Sequence, residues 1–263
     1  MGGPSANRKR RGTRAATLRF CLALVVLVAL GGAAYAGVRA SQDPRLALGD
    51  VAVSGCSRSS PDDVLAAASL PRGSNIWLLD TAGAAKRIEA LPWTNSAKVT
   101  RAWPNSVSVT VIERRPAARL ALPASRNGEE PGAADALLDA QMRVLAVGPD
   151  DPRDIGLPLL TVAVLPPSAV APAADLSNTD AAVAFAAYRT LQAAGLHVHS
   201  VDIGSATGIG VVTADNLRVL FGPSDGLAQK VALYRNIVVK ITAPKNVAYI
   251  DLRSARAPTV LFR

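Results

Sequence analysis

The sequence predicts an α+β fold behind one membrane-spanning helix, and three observations lead to this prediction. Residues 20–38 contain no Asp, Glu, Lys, Arg or His. Residues 46–115 carry strand and helix signals in the order strand, helix, helix, strand, strand, and residues 116–263 carry mainly strand patterns with two helices. We therefore expect a transmembrane helix at 20–38, a compact α+β domain at 46–115, and a mostly antiparallel β domain at 116–263.

Composition narrows the class of protein. Of the 263 residues, 49% are apolar and 4% are aromatic, which excludes a disordered tail and a nucleic-acid stacking platform. The 29 basic residues exceed the 20 acidic ones by nine, but seven basic residues and no acidic one fall in the first forty positions, leaving 22 basic against 20 acidic residues afterwards. A DNA-binding domain would gather its positive charge on the folded part, so this class is excluded as well. The seven early basic residues are Arg8, Lys9, Arg10, Arg11, Arg14, Arg19 and Arg39.

The apolar stretch at 20–38 has the length of a membrane span. At about 1.5 Å per residue it covers roughly 28 Å, close to the hydrocarbon core of a bilayer. Because positive charge is retained on the cytoplasmic side, residues 1–19 are expected inside the cell as a basic tail, with everything after Val38 outside. The alternative is a signal peptide cleaved after Ala36, since Ala34-Tyr35-Ala36 has the small-x-small form of a cleavage site.

Cysteine usage predicts a domain without disulfides. Cys21 lies inside the membrane span and Cys56 lies in the exported part, so the two cannot meet in one bond. We expect Cys56 to be a half-buried thiol, and an exported part of this size can be stable through its own core.

The domain at 46–115 is predicted element by element from turn and cap signals. Val51 and Val53 alternate with small or polar residues and end at Gly55, which indicates a strand. Ser60-Pro61 has the N-cap and first-position residues of a helix. Asp80 is the N-cap candidate of a second helix. The remaining predictions are an end of that helix at Leu91, a strand from Ala97 to Trp103, a turn at Pro104-Asn105, and a strand from Val107 to Ile112 with its valines packed on one face.

This order of elements, directly after a membrane helix, resembles the polypeptide-transport-associated (POTRA) fold in the form found in the FtsQ/DivIB family of bacterial cell-division proteins. The Trp-Pro step at 103–104 and the Glu-Arg-Arg-Pro ending at 113–116 are the specific parts of the resemblance. The other matching segments are Val51-Ala52-Val53-Ser54-Gly55, Gly73-Ser74-Asn75-Ile76-Trp77-Leu78-Leu79-Asp80, Leu91-Pro92-Trp93, Val99-Thr100-Arg101-Ala102, and Val111-Ile112.

The region from 116 to 263 is predicted as a β domain, which is also what the family's second domain implies. A Pro- and Ala-rich stretch from Pro166 to Ala174 indicates a loop, and the segment Ile250-Asp251-Leu252-Arg253 is the second specific family match. The predicted elements are a hairpin turning at Asp139 to Gln141, a strand entry at Leu157 to Leu160, helices from Thr179 to Ala194 and from Asp225 to Ile241, and strands at Val198 to Ile203, Ile209 to Thr213, Leu217 to Phe221, Val247 to Arg253 and Thr259 to Phe262.

Two features of the sequence have residue types that can carry chemistry, but neither predicts a site. His197 and His199 would share one face of a strand, but two ligands do not make a metal site, and a solvated strand face accounts for them. The glycine-rich stretch at 204–210 is followed by a strand pattern instead of the helix that a phosphate loop requires, so it indicates a hairpin turn. Since a Ser-His-Asp triad could draw only on these two histidines, the sequence predicts no enzyme, no metal and no cofactor.

A protein without chemistry works by recognition, and an unpaired sheet edge offers a place for it. The family resemblance implies that the C-terminal sheet receives an added strand from FtsB, the coiled-coil partner of FtsL. Better-known members of the family carry an aromatic residue directly after the Asp-Leu-Arg step and a Trp near the chain's end. Ser254 and Phe262 stand at those positions here, and Tyr249 is an alternative aromatic contact. The predicted partner-binding residues are Arg253, Ser254, Thr259, Val260, Leu261 and Phe262.

The predicted function is that of a scaffold of the division machinery in the inner membrane. The resemblance implies a single-pass type II protein at the division septum that binds FtsB, FtsL and other membrane division proteins through its extracytoplasmic domains. The alternative, from another class, is a secreted hydrolase or binding protein released by cleavage after Ala36.

Overall fold

A computed structural model describes residues 8–41, 43–122, 135–148, 151–166, 169–241 and 247–263 of the chain. Its contacts divide the chain into two compact units. The first contains residues up to Gly55 together with Pro61–Arg87 and Ala97–Val111, and the second contains Cys56–Ser60, Ile88–Ser96 and Ile112–Arg263.

Helix α1, Arg8–Ser41, contains the apolar stretch. By length and composition, its segment Leu22–Arg39 is long and apolar enough to cross a membrane. In the described part of the chain, α1 is the one helix with such a segment. The predicted span at 20–38 therefore falls within one continuous helix, while residues 1–7 of the predicted tail lie outside the described residues.

A three-stranded sheet and two helices follow α1. Strand β3 lies between β1 and β2, and β1 pairs with it in parallel, with Val51 opposite Val107 and Val53 opposite Val109. The expected strand–helix–helix–strand–strand order of the POTRA fold is confirmed. The elements are β1 (Val51–Ser54), α2 (Pro61–Ala68), α3 (Thr81–Glu89), β2 (Thr94–Ala102) and β3 (Ser106–Glu113).

The described residues from Pro116 onward contain one sheet of nine strands, in the order β12-β11-β10-β9-β8-β7-β4-β5-β6. Five of its eight neighbouring pairs are antiparallel, which confirms a mostly antiparallel domain, and three are parallel: β10 with β11, β4 with β7, and β7 with β8. The strands are β4 (Pro116–Ala121), β5 (Asp135–Asp139), β6 (Val144–Gly148), β7 (Leu159–Val162), β8 (Val198–Gly204), β9 (Gly208–Thr213), β10 (Arg218–Gly222), β11 (Val247–Asp251) and β12 (Thr259–Phe262).

Two helices, α4 (Asp180–Ala193) and α5 (Leu227–Val238), pack with this sheet and form its core. α4 ends as predicted, because Gly195 adopts φ +75° at the position where a left-handed residue ends a helix. Leu191 of α4, Val231 of α5 and Phe221 of β10 are almost completely buried in the shared core. The core therefore holds β10 and its neighbour β11 in place at the end of the sheet that carries β12.

Some predicted element ends were wrong by a few residues. α5 begins at Leu227 instead of Asp225 because Gly226 before it is left-handed, with φ +65°. α3 ends at Glu89 instead of Leu91, since the Leu91 amide already bonds to the Ile88 carbonyl in a tighter turn, 3.0 Å. Of the predicted loop at 166–174, residues 167–168 lie outside the described residues.

Candidate functional site

Strand β12 forms one edge of the nine-stranded sheet. On its inner side it pairs antiparallel with β11, with Asp251 opposite Thr259 and Val247 opposite Phe262. No other strand among the described residues pairs with its outer side. Within the described sheet, the backbone N–H and C=O groups that point outward from β12 therefore take part in no strand pairing.

The two faces of β12 differ in what lies beneath them. Val260 and Phe262 stand opposite Ile250 and Val247, which are both buried, so these two side chains lie on the core face. Val260 is half-buried against the core, whereas Phe262 at the end of the strand is 57% exposed. An apolar ring thus stands at the rim of the core layer.

The opposite face of β12 is more polar and more exposed. Leu261 is 46% exposed and stands opposite the half-buried Tyr249 of β11, and Thr259 is exposed. Tyr249 therefore supports Leu261 from the inner strand instead of standing at the edge itself.

The turn that leads from β11 to β12 contains Arg253 and Ser254, two of the predicted partner-binding residues. Asp251 accepts hydrogen bonds from the Arg253 backbone amide at 3.0 Å and from its guanidinium at 2.7 Å. These bonds, chiefly those from the guanidinium, lower the pKa of the Asp251 carboxyl. Arg253 is thereby held in one orientation while its side chain stays 47% exposed.

Gly222 of β10 makes room for this turn. It adopts φ +71°, and a Cβ atom placed on it would lie 2.9 Å from Cγ of Arg253. Only glycine accepts both the left-handed backbone and the close approach of the arginine stem.

The predicted site residues lie along one edge but not at one point. Arg253 and Ser254, both exposed, belong to the turn beside the Thr259 end of β12, and Phe262 lies at the other end. Thr259 and Phe262 are three positions apart in β12, which corresponds to about 10 Å along the strand. Beyond the Phe262 end, a cavity of about 630 Å³ is lined by Tyr234, Val238, Val247, Arg263 and the turn at 215–217.

The opposite edge of the sheet carries a second concave surface that the sequence did not predict. Strand β6 lines a cavity of about 310 Å³ together with three arginines and three aspartates. One arginine, Arg58, bonds to Asp154 at 2.9 Å and lies over the Trp93 ring at 5.2 Å. These residues are far apart in sequence, so no local pattern could have indicated the surface. The other charged residues of the lining are Arg119, Arg153, Asp135 and Asp151.

Of the two histidines, His199 lies on β8 as predicted, and His197 directly precedes that strand. His197 and His199 are exposed, and the His197 ring bonds to the Gln192 side chain at 3.0 Å. Within the described ranges, no group of three His, Cys, Asp or Glu side chains could hold a metal ion.

We expected the sequence to contain no Gly-x-Ser-x-Gly nucleophile elbow, and this expectation is wrong, because Ser224 has that spacing. Ser224 lies in the turn from β10 to α5, within Gly222-Pro223-Ser224-Asp225-Gly226. The strand register places this turn level with the Gly204 end of β8, whereas His199 lies near the opposite end of that strand. The separation along the strands is about 15 Å, so Ser224 and the histidines cannot form a triad.

Comparison with known proteins adds evidence for both folded parts. Residues 46–114 match a family described as the FtsQ-type POTRA domain, and residues 130–253 match one described as the C-terminal part of cell division protein FtsQ/DivIB. The second match stops at Arg253, so Ser254 and β12 lie beyond it.

Similar proteins named cell division protein FtsQ occur in several bacteria. The protein of Chloroflexus aurantiacus is 28% identical over 205 residues, covering 77% of this chain and 69% of the relative. The protein of Corynebacterium glutamicum is 38% identical over 96 residues, which cover 36% of this chain and 43% of the relative. The protein of Mycobacteroides abscessus is 33% identical over 117 residues, which cover 44% of this chain and 36% of the relative. The chain thus spans less than half of the Corynebacterium and Mycobacteroides relatives that it matches.

Proposed function

The chain belongs to the FtsQ/DivIB family of cell-division proteins, and on that premise we propose that it is a bitopic membrane scaffold of the division machinery. In this proposal α1 anchors the chain with its basic end in the cytoplasm, as a type II protein of the inner membrane at the septum. The exported domains bind other division proteins, and the edge strand β12 takes a strand from an FtsB-type partner that is associated with FtsL. The scaffold acts by placement, and we assign it no catalytic step.

The observation that carries the proposal is the open outer side of β12 in the described sheet. Alternate residues of a strand point their N–H and C=O groups to the same side. The four residues of β12 therefore offer about two N–H groups and two C=O groups to a partner strand. Up to four backbone hydrogen bonds at roughly 1 kcal/mol each would contribute about 4 kcal/mol. That is too little for stable binding alone, so side chains must add to it.

Phe262 is the side chain best placed to add binding energy. Its ring is 57% exposed at the rim of the core face, beside the cavity that Val247 and Arg263 line. A strand docked along β12 would cover the ring, and Arg253, Ser254 and Thr259 would provide polar contacts at the far end. Val260 and Leu261, between these ends, would contact the side chains of the added strand.

The anchor makes such weak contacts sufficient. A helix of the length of Leu22–Arg39 confines the exported domains to a layer beside the bilayer, which raises the effective concentration of partners in the same membrane. The basic residues before it in the sequence, from Arg8 to Arg19, favour retention of that end in the cytoplasm.

The proposal is tested by titrating the full-length chain in nanodiscs with the purified FtsB-type protein of the same cell. Replacing Phe262 with alanine should weaken binding by about 30-fold, corresponding to roughly 2 kcal/mol for the loss of an anchoring aromatic contact. Val183→Ala is the matched control, because Val183 is 46% exposed on α4, which packs on β7 and β8 in the middle of the sheet. Equal affinity of both variants and the parent chain would remove Phe262 from the site.

The cellular part of the proposal is tested by the position of a fluorescent fusion. A band at forming septa supports the scaffold. Release of the exported part into the medium, with an N-terminus at Gly37, would instead support the secreted alternative.

A further inference from the structure

Three large apolar side chains of the first unit stand in solvent next to one another. Trp77 is 57% exposed, Leu78 is 73% exposed and Trp103 is 60% exposed. The two indole rings contact each other edge to face, with 5.0 Å between their centroids. We call Trp77, Leu78 and Trp103 the tryptophan cluster.

The cluster is held in place by the backbone around it. The side chain of Asn75 accepts a hydrogen bond from the Trp77 amide at 2.8 Å and starts a short 3-10 turn, Ile76–Leu78. Arg101 of β2 donates to the carbonyls of Ile76 and Leu79, at 2.7 Å each. Because one arginine of β2 ties this turn to the strand that leads to Trp103, the exposed rings form a fixed surface and not a mobile loop tip.

The cluster lies close to the point where the chain leaves α1. Ala47 forms a β-bridge with Asn75, and the Leu48 amide donates to the Ser74 carbonyl at 2.8 Å. The Gly49 amide donates to the carbonyl of Asn105, two residues after Trp103, at 2.9 Å. Ala47 comes six positions after Ser41, the last residue of α1, so the chain allows at most about 20 Å between them.

We propose that the tryptophan cluster inserts into the headgroup layer of the membrane that the chain's own anchor spans. Tryptophan favours this layer because its ring is apolar while its N–H still meets a polar partner. The inference rests on the proposed function, since it requires α1 to cross the membrane. It adds a second point of attachment, which fixes the orientation of the POTRA domain on the lipid surface.

Lipid is favoured over a protein partner by this short connection to the anchor. The exposed Arg45 and Arg72 lie on the same connected segments and would meet anionic headgroups. The exposed Asp43 and Asp50 offset their charge, so the apolar contacts must carry most of the attachment. We therefore expect binding that depends weakly on salt and strongly on the indole rings.

The chain's three tryptophans make the test direct. Residues 8–41 contain no tryptophan, and the third one, Trp93, belongs to the second unit. The full-length W93F variant is placed in phosphatidylcholine–phosphatidylglycerol nanodiscs whose acyl chains are brominated near the headgroup. We expect the tryptophan emission of this variant to be blue-shifted. We also expect bromine to quench most of this emission, in comparison with nanodiscs without bromine.

The W77F/W103F variant, which keeps only Trp93, is the matched control and should lose little emission. Equal quenching of the two variants, or no quenching of either, would overturn the inference, and emission that shifts only when another division protein is added would assign the cluster to a protein partner instead. A chain that does not enter nanodiscs at all would contradict the anchor itself, which separates failure of the proposed function from failure of this inference.

A second measurement does not depend on tryptophan substitutions. Both cysteines are replaced by serine, and a spin label is attached through Leu78→Cys or, as control, Val239→Cys. Oxygen dissolved in the lipid should reach the label at position 78 more readily than a water-soluble nickel chelate does, with the order reversed at position 239. The same order at both positions would also overturn the inference.

Discussion

Replacing Glu113 with glutamine removes the charge around which the loop from Ser57 to Ser59 is built. The carboxylate accepts hydrogen bonds from the backbone amides of Ser57, Arg58 and Ser59 at 2.9, 3.0 and 2.8 Å, and from the Ser57 hydroxyl at 2.6 Å. Glutamine keeps the shape and one acceptor oxygen, but its NH₂ group turns a donor toward these donors. The perturbation is therefore confined to charge and hydrogen bonding.

The size of the effect follows from the pKa of this carboxyl. Burial by itself raises the pKa of Glu113, but the bonds from Ser57, Ser59 and Arg58 outweigh it and bring the value to about 2. The downward shift corresponds to roughly 3 kcal/mol, and solvent screening at this half-buried position reduces it to about 2 kcal/mol. We expect E113Q to lose about this much free energy of unfolding at neutral pH.

The same bonds predict how stability depends on pH. Since the pKa is lower in the folded chain than the value near 4.3 of an unfolded one, the contribution is fully present above about pH 5. It is lost as the pH falls toward 2. The stabilities of the parent chain and of E113Q should therefore converge between about pH 5 and pH 2.

The assay is denaturant unfolding of the full-length chain in mild detergent, with W77F/W103F as background. Trp93 then reports on the unit to which Glu113 belongs. A loss below about 0.5 kcal/mol for E113Q at neutral pH, or a difference from the parent chain that stays constant down to pH 2, would refute this account of the loop.

Three further perturbations have defined outcomes. The Arg114 guanidinium donates to the buried Asp139 carboxylate at 2.8 Å, and Asp139→Ala removes this partner. The variant should lose about 3–5 kcal/mol of unfolding free energy in denaturant, and a loss near zero would contradict a structural ion pair. Burial, and then the charge of Glu113, raise the pKa of the Cys56 thiol, so in a C21S background its alkylation at neutral pH should be slower than that of an unfolded control; equal rates would contradict this. Gly222→Ala forces a side chain onto a left-handed residue and toward Arg253, and should lower stability by about 1–2 kcal/mol, measured in the same way; an unchanged midpoint would contradict the close approach.

Local patterns predicted the elements well because each was encoded within a few residues. The alternation of Val107, Val109 and Val111 with polar residues predicted one packed face, and these three side chains are 0%, 0% and 3% exposed. The turn after Asp139 was also confirmed, because its carboxylate accepts the amides of Gln141 and Arg143 at 2.8 and 2.9 Å.

The motifs could be recognised in the sequence, but their roles could not. The Glu-Arg-Arg-Pro ending joins segments that are distant in the chain: Glu113 binds the loop at 57–59, and Arg114 donates to the Thr94 carbonyl and to Asp139. Likewise, Arg101 ties down the turn at 76–79. Such pairings depend on tertiary structure, which periodicity does not encode.

The candidate site was predicted through the family resemblance, and its geometry came only from the strand order. Nothing local in Thr259–Phe262 says that this strand, and not another, stands at the edge. The sequence also gave no sign that Val260 would be half-buried or that Arg253 would be held by Asp251. The arginine-lined cavity beside β6 was missed for the same reason, since Arg58 and Trp93, far away in sequence, line it together with β4, β5 and β6.

The claim that β12 receives a partner's strand is tested most directly by amide hydrogen exchange of the full-length chain in nanodiscs, with and without the FtsB-type partner. An added strand would bond to the outward amides of residues 259–262, so alternate amides there should exchange more slowly in the complex, while those of Val144–Gly148 at the other edge should not change. A complex that forms without any slowing at 259–262, or that protects Val144–Gly148 instead, would contradict the account.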